Sequence, residues 1–393
     1  MTSKRHVLKI ALGLVAAAAA SVACAADTGP IKIGLILPMT GQSASTGRQI
    51  DAAVKLWMAQ NGNKIAGRTV EVILKDDGAV PDATKRIAQE MIVGDKVTVI
   101  AGFGITPTAL ATAPLATQSK TPLVVMAAAT SSITQASPYI VRTSFTLPQV
   151  TTPIADWAAK HGIKRVITLV ADYGPGFDAE KFFDSQFRLD GGQILDKLRT
   201  PLKAPDFAPV LQRVSDAKPD ALFVFLPSGQ GAAFMKQFAE RGLDKSGIKL
   251  IATGDVTDDD QLADMGDVAL GVVTSHHYSA AHPLAANKKF VAAFEAANKF
   301  RPNFMAVGGY DGMRVIYKAL EATKGAGGDA LLNAMKGQVF ESPRGPVLID
   351  AQTRDIVQDV YIRKVERVPS MGNGLYNVEF DVIKAVKDPG KSK

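Results

Sequence analysis

Short apolar runs alternate with helical patterns along most of the chain. The strand-like runs are IKIGLILP (31–38), TVEVILKD (69–76), VTVIAGF (97–103) and PLVVMAA (122–128), with helical spacing near 47–60, 81–94 and 107–119. The rhythm restarts after VRTSFTLP (141–148). RVITLVAD (165–172), GQILDKL (192–198), ALFVFLP (221–227) and KLIATG (249–254) are strand-like, and helical patterns lie near 150–161, 176–190, 207–217 and 230–242. Strands alternating with helices predict parallel sheets covered on both faces. Pro114 falls inside the third helical pattern and removes one of its backbone bonds.

Two such sets predict an α/β protein of two doubly wound, Rossmann-like lobes. The remainder begins with a strand-like GVVTSHHY (271–278) and two helical patterns near 286–299 and 304–323. PVLID (346–350), VQDVYIRKV (357–365) and YNVEFDVI (376–383) follow, and the last two alternate as antiparallel or edge strands do. The simplest chain path assigns 26–146 and 279–350 to lobe 1, and 147–278 and 351–393 to lobe 2. Three crossovers then join the lobes as a hinge, near 145–150, 275–280 and 350–355.

The first 25 residues stand outside this rhythm. Lys4, Arg5 and Lys9 precede an uncharged run from Ile10 to Val22, too short to span a bilayer, and Ala23-Cys24-Ala25 supplies small residues for cleavage. This is the pattern of a secretory signal peptide over residues 1–25, which predicts a periplasmic product. Lipidation at Cys24 is disfavoured, because Ser21 stands where such sites usually carry Leu. Cys24 is the chain's one cysteine, so the exported product holds no disulfide. The net charge of +7 falls to +4 without the leader, and no Lys/Arg run is interleaved with aromatics, which argues against nucleic acid.

Ligands of open parallel sheets sit beyond the carboxyl ends of the strands. In the first lobe the loops there are MTGQSASTG (39–47), GFGIT (102–106) and AAATSS (127–132), rich in small and hydroxyl residues and without an acid. In GFGIT, Thr106 reads as a helix N-cap and Pro107 as the first helical residue, a start that suits an anion. In the second lobe the loops are ADYGPG (171–176), PSGQG (227–231) and TGDVTDDD (253–260), which bring Asp172, Tyr173, Ser228 and Asp255. One wall offers donors to a carboxylate, with Gln42 and Ser43 at its edge. The other offers partners to a cation or hydroxyl. The same residues also have ordinary turn, cap and packing uses, and the run Asp258 to Asp260 reads as the cap and charge of a helix start.

Enzyme motifs are missing. Gly102-Phe103-Gly104 lacks the third glycine of a dinucleotide loop, Gly41-Gln42-Ser43-Ala44 is followed by Ser45 and not Gly, and no Walker loop occurs. No cofactor is expected. His276, His277 and His282 form the only histidine cluster. Adjacent histidines on a strand point to opposite faces, so one in and one out is expected, and no metal.

These residues in this order resemble the periplasmic solute-binding proteins of branched-chain amino acid ABC transporters, of type I periplasmic binding fold. The likeness is carried by IKIGLILPMTGQSASTGRQIDAAVKL, GFGITPTALATAPLA, TPLVVMAAATSS, ADYGPGFDAEKFF, TGDVTDDDQL and AVGGYDGMRVIYKAL. It implies two lobes that close on a small ligand and dock on an inner-membrane permease, the protein acting as a monomer. It further implies that Gly104, Ile105 and Thr106 hold the ligand carboxylate. Ala127, Ala129 and Thr130 would offer a carbonyl and a hydroxyl to an ammonium, Tyr173 would cover the ligand, and Asp255 would pair with the ammonium. PSGQG has no aromatic where some amino acid binders carry one. The leading expectation is an aliphatic or similar amino acid as ligand. The alternatives are an amine-free carboxylate, such as an aromatic, keto or hydroxy acid, and a sensor role.

Overall fold

The computed structural model describes residues 29–391, so the leader and Cys24 lie outside the described residues. The first sheet contains β1 (Ile31–Leu37), β2 (Lys64–Ile65), β3 (Arg68–Asp76), β4 (Val99–Gly102), β5 (Leu123–Val125) and β6 (Ile140–Arg142). Its helices are α1 (Ala44–Asn61), α2 (Pro81–Glu90) and α3 (Thr106–Ser119), the last continuous through Pro114. The spatial order is β2-β3-β1-β4-β5-β6, parallel except for the β2–β3 pair. β1 is buried along six of its seven residues because helices cover both faces of the sheet, which is why it reads as a continuous apolar run.

The chain continues through α4 (Leu147–Lys160), β7 (Arg165–Ala171), α5 (Gly174–Leu189), β8 (Gln193–Thr200), α6 (Ala208–Ala217), β9 (Ala221–Phe225), α7 (Gly231–Glu240), β10 (Lys249–Thr253), α8 (Leu262–Met265) and β11 (Val273–His276). Then come α9 (Ala285–Asn298), α10 (Phe304–Ala322), α11 (Gly328–Met335), β12 (Val339–Ser342), β13 (Gly345–Ile349), β14 (Ile356–Val368) and β15 (Gly374–Val386). The second sheet runs β12-β13-β14-β11-β10-β9-β7-β8, with β15 paired to β14. β7 to β11 are parallel, and β12 to β15 join antiparallel.

Residues 279–350 divide between the two sheets. Helices α9 and α10 pack on α1, whereas the hairpin β12–β13 hydrogen-bonds onto β14 in the second sheet. The physical reason is the length of β14. Over 13 residues it pairs with β13 through Ile356–Gln358 and with β11 through Tyr361–Lys364. No helix among the described residues is long and apolar enough to cross a membrane.

Candidate functional site

Each sheet has a point where the chain steps outward in both directions. β1 lies between β3 and β4, and β7 lies between β8 and β9. Loops leaving such neighbours diverge and open a crevice. The two crevices face each other across a small cavity of about 30 Å³. Ser43 and Thr46 enter it after β1, and Gly104, Ile105 and Thr106 after β4. Ala127 to Ala129 follow β5, Tyr173 and Pro175 follow β7, and Phe225, Pro227 and Ser228 come from the end of β9. Asp255 follows β10, and Phe145, Leu147 and Met305 complete the walls.

The close approach of backbones explains the glycines of GFG. Gly102 has φ +114°, and a side-chain carbon there would lie 2.2 Å from the carbonyl oxygen of Ile36. At Gly104 the same atom would lie 2.6 Å from the Pro38 ring. The helix start differs by one residue from expectation. Ile105 is the N-cap of α3, in extended conformation, and Thr106 already belongs to the helix. An isoleucine has no oxygen with which to cap. Among the described residues nothing accepts a hydrogen bond from the N–H groups of Gly104, Ile105 and Thr106, which suits them to an anion. Tyr173 likewise begins α5 without a side-chain cap bond. Gly174 lets this second helix start approach the first, since a side-chain carbon there would stand 3.1 Å from the Thr130 hydroxyl.

Thr130 and Gln42 do not line the cavity. The Thr130 hydroxyl is 2.8 Å from that of Thr106, and its carbonyl accepts from Arg142 Nη2 at 2.7 Å, so Thr130 braces the cradle from behind. Gln42 is exposed on a turn that Gly41 bends with φ +77°. Asp172 is also turned away, half exposed and 3.9 Å from Arg199 Nη1.

Asp255 is 4 % exposed, and its Oδ2 is buried with no hydrogen-bond partner among the described residues. The nearest partner is His276 Nε2, 3.6 Å from Oδ2. The expectation of one histidine in and one out is overturned, because His276 and His277 are both fully buried. β11 ends at His276 and the chain turns there, which folds the second imidazole back to 4.4 Å from the first. Phe145 lies against both rings and Phe304 against His276, at 4.1 Å. Burial pushes His276 down to about 4, although Asp255 pulls the other way, and His277 falls well below its ordinary value for the same reason. Among the described residues no group of three His, Cys, Asp or Glu is placed to hold a metal.

The histidines couple stability to acid. With the folded value of His276 below the unfolded one, its neutral form contributes stability that is complete above pH ~6.5 and is lost as pH falls toward 4. Roughly 3 kcal/mol is expected to go from His276 alone between those limits. Urea unfolding across that range measures it. A His276→Phe variant, which keeps the packing, should give a shallower slope, and equal slopes would count against neutral burial.

The acid run does not cap a helix. Asp258 contacts the Ser228 hydroxyl, Asp259 Oδ1 accepts from Asn377 Nδ2 at 3.1 Å, and Asp260 accepts from Ser45 Oγ at 3.1 Å and Asn303 Nδ2 at 3.0 Å. The helix α8 starts later, and its N-cap, Gln261, makes no side-chain cap bond. Consecutive residues in a loop point in different directions, so three adjacent acids find three separate partners. Aromatic walls were the other feature hidden in the sequence. Tyr173 and Phe225 stack with centroids 6.1 Å apart and an interplanar angle of 16°. Phe225 closes a strand that reads as core, and only its place at the carboxyl end of β9 marks it. Met305 comes from the start of α10 and carries no local signal.

The geometry agrees with what the chain resembles. The model of the family described as periplasmic binding protein matches residues 30–372. The Leu/Ile/Val-binding protein homolog 6 of Brucella abortus (strain 2308) is 43% identical over 385 residues, covering 96% of this chain and 98% of that one. A solute-binding protein of an ABC transporter from Rhodopseudomonas palustris BisB5, solved with 3,4-dihydroxybenzoic acid, is 64% identical with a TM-score of 0.91, covering 92% of this chain and 99% of that one. Its counterpart from Rhodopseudomonas palustris HaA2, solved with p-hydroxybenzoic acid, is 42% identical with a TM-score of 0.89 over the same shares. Two doubly wound lobes facing each other across a small cavity therefore have their explanation: the chain belongs to the periplasmic binding protein family and is the substrate-binding protein of an ABC transporter.

Proposed function

We propose that the protein captures a benzoate-type carboxylate bearing a ring hydroxyl and delivers it to the transporter's permease. The observation that carries this reading is the pairing of opposite ends. Uncapped N–H groups of α3 suit a carboxylate, and the buried Asp255 Oδ2, which lacks a hydrogen-bond donor, suits a hydroxyl. Between them lie Phe145, Tyr173 and Phe225, whose faces suit a flat ring. An α-amino acid fits less well, because its ammonium carries three donors. Of the acceptors it would want beside Asp255, the Ala129 carbonyl already accepts from Leu147 N–H at 3.0 Å, and the Thr130 hydroxyl pairs with Thr106. The relatives solved with hydroxybenzoic acids support the same choice. Binding alone is the role assigned, with no catalytic step.

The site in this reading comprises Ser43, Gly104, Ile105, Thr106, Ala127, Ala129, Tyr173, Ser228 and Asp255, with Gln42 on the exposed turn before Ser43 and Thr130 behind the cradle. Lobe closure about crossings near 145–150, 275–280 and 350–355 would enclose the ligand. Residues 1–25 are read as a signal peptide that sends the protein, acting as a monomer, to the periplasm.

A thermal-shift panel of ligand-stripped protein tests the reading. It contains 4-hydroxybenzoate, benzoate, leucine and phenylalanine. A true ligand at a thousandfold its Kd adds roughly 4 kcal/mol, a rise of several degrees. The rise is expected with 4-hydroxybenzoate, and a rise with leucine alone would replace the aromatic acid by an amino acid.

A further inference from the structure

Ser228 lines the cavity on the same lobe as Asp255. Its hydroxyl is in short hydrogen-bond contact with Asp258 Oδ2, and the other oxygen of Asp258, Oδ1, is buried without a partner. Asp258 is 1 % exposed. Burial first, then the charges of Asp260 and Asp255, raise its carboxyl well above the ordinary range. β9 and β10 are paired neighbours, so the loops that carry Ser228 and Asp255 leave adjacent strand ends, and both residues line the cavity. Asp258 and Ser228 therefore share a hydrogen bond away from water, which fixes the serine side chain and leaves its oxygen with capacity for a further partner. The turn that carries Ser228 also abuts the first lobe, since a side-chain carbon at Gly229 would come within 3.3 Å of the Gln42 carbonyl oxygen.

We propose that Ser228, held by Asp258, reads a second ring hydroxyl adjacent to the one taken by Asp255, so that the site selects a vicinal dihydroxy aromatic carboxylate over its monohydroxy analogue. This inference rests on the hydroxylated benzoate reading above. A hydroxyl both donates and accepts, so it satisfies Ser228 whichever member of the Ser228–Asp258 pair holds the shared proton. A ring C–H does neither and leaves the serine oxygen without that partner in a closed cavity.

Isothermal titration of the ligand-stripped protein with 4-hydroxybenzoate and 3,4-dihydroxybenzoate tests it. The parent protein is expected to prefer the dihydroxy acid about tenfold. Ser228→Ala should weaken 3,4-dihydroxybenzoate more than 4-hydroxybenzoate and so abolish the preference, and Ser228→Thr, which keeps a hydroxyl, should retain a preference. Equal affinities in the parent overturn the proposal, as does a Ser228→Ala variant that weakens both acids by one factor. If neither aromatic acid binds and leucine does, the underlying ligand reading fails instead, and the selectivity inference falls with it.

Discussion

Asp255→Ala is expected to lower the affinity for 4-hydroxybenzoate by roughly 10- to 100-fold, the range of a hydrogen bond to a charged group. Benzoate, which lacks the ring hydroxyl, should bind the variant at least as well as the parent. The contrast follows from burial. Asp255 is 4 % exposed, its Oδ2 has no hydrogen-bond partner among the described residues, and His276 Nε2 stands 3.6 Å from it. A buried carboxylate without a donor is costly, and a ligand hydroxyl removes that cost. Benzoate leaves it in place and even worsens it by displacing water. Truncation to Ala takes away both the partner that 4-hydroxybenzoate uses and the penalty that benzoate meets. Calorimetric titration of both acids reads the effect, with near-ultraviolet circular dichroism to show that the fold persists. Parallel losses for the two acids would remove Asp255 from hydroxyl recognition.

The second large effect lies away from the ligand. Arg344 sits at the turn between β12 and β13, fully buried, with Nη2 2.7 Å from Asp311 Oδ2 on α10. It also donates to the carbonyls of Ser144, at 3.0 Å, and Thr143, at 2.9 Å, and to Gln358 Oε1 at 2.7 Å. One guanidinium thus ties α10, the chain leaving β6 and β14 into a single knot. Arg344→Met is expected to destabilise the protein by about 3–5 kcal/mol, mainly because buried Asp311 loses its cation and keeps only the Ser342 hydroxyl, at 2.7 Å, as a donor. Adding Asp311→Asn removes that charge and should recover part of the loss. Urea unfolding of the two variants checks this. A double variant less stable than Arg344→Met would show that the unpaired charge is not the main cost. The three hydrogen bonds to Ser144, Thr143 and Gln358, lost in both variants, explain why recovery is expected to be partial.

The elements themselves were legible because their signals are local. Continuous apolar runs in β1, β4, β7 and β9 and helical spacing between them reflect burial on both faces of parallel sheets, which any stretch of the chain displays without reference to the rest. The cradle at GFGIT was legible for the same reason, since glycines and a strand-to-helix turn are adjacent in sequence. Its cap was misplaced by one residue, because Thr106 and Ile105 differ in propensity but the backbone decides which one leaves the helical conformation. The hairpin β12–β13 escaped its lobe because β14 is long enough to serve two partners, a property of pairing between distant segments.

The walls of the site were harder to read. Phe225 and Phe145 look like core residues in their own segments, and Met305 lies some 50 positions beyond Asp255. Hydrophobic periodicity therefore established two α/β lobes and named the loops at their strand ends. Which of those loops meet, which acids are buried and which of the buried acids lack a partner depended on sheet order and on the lobes facing each other. Those relations arise between residues far apart in the chain, and local pattern carries no record of them.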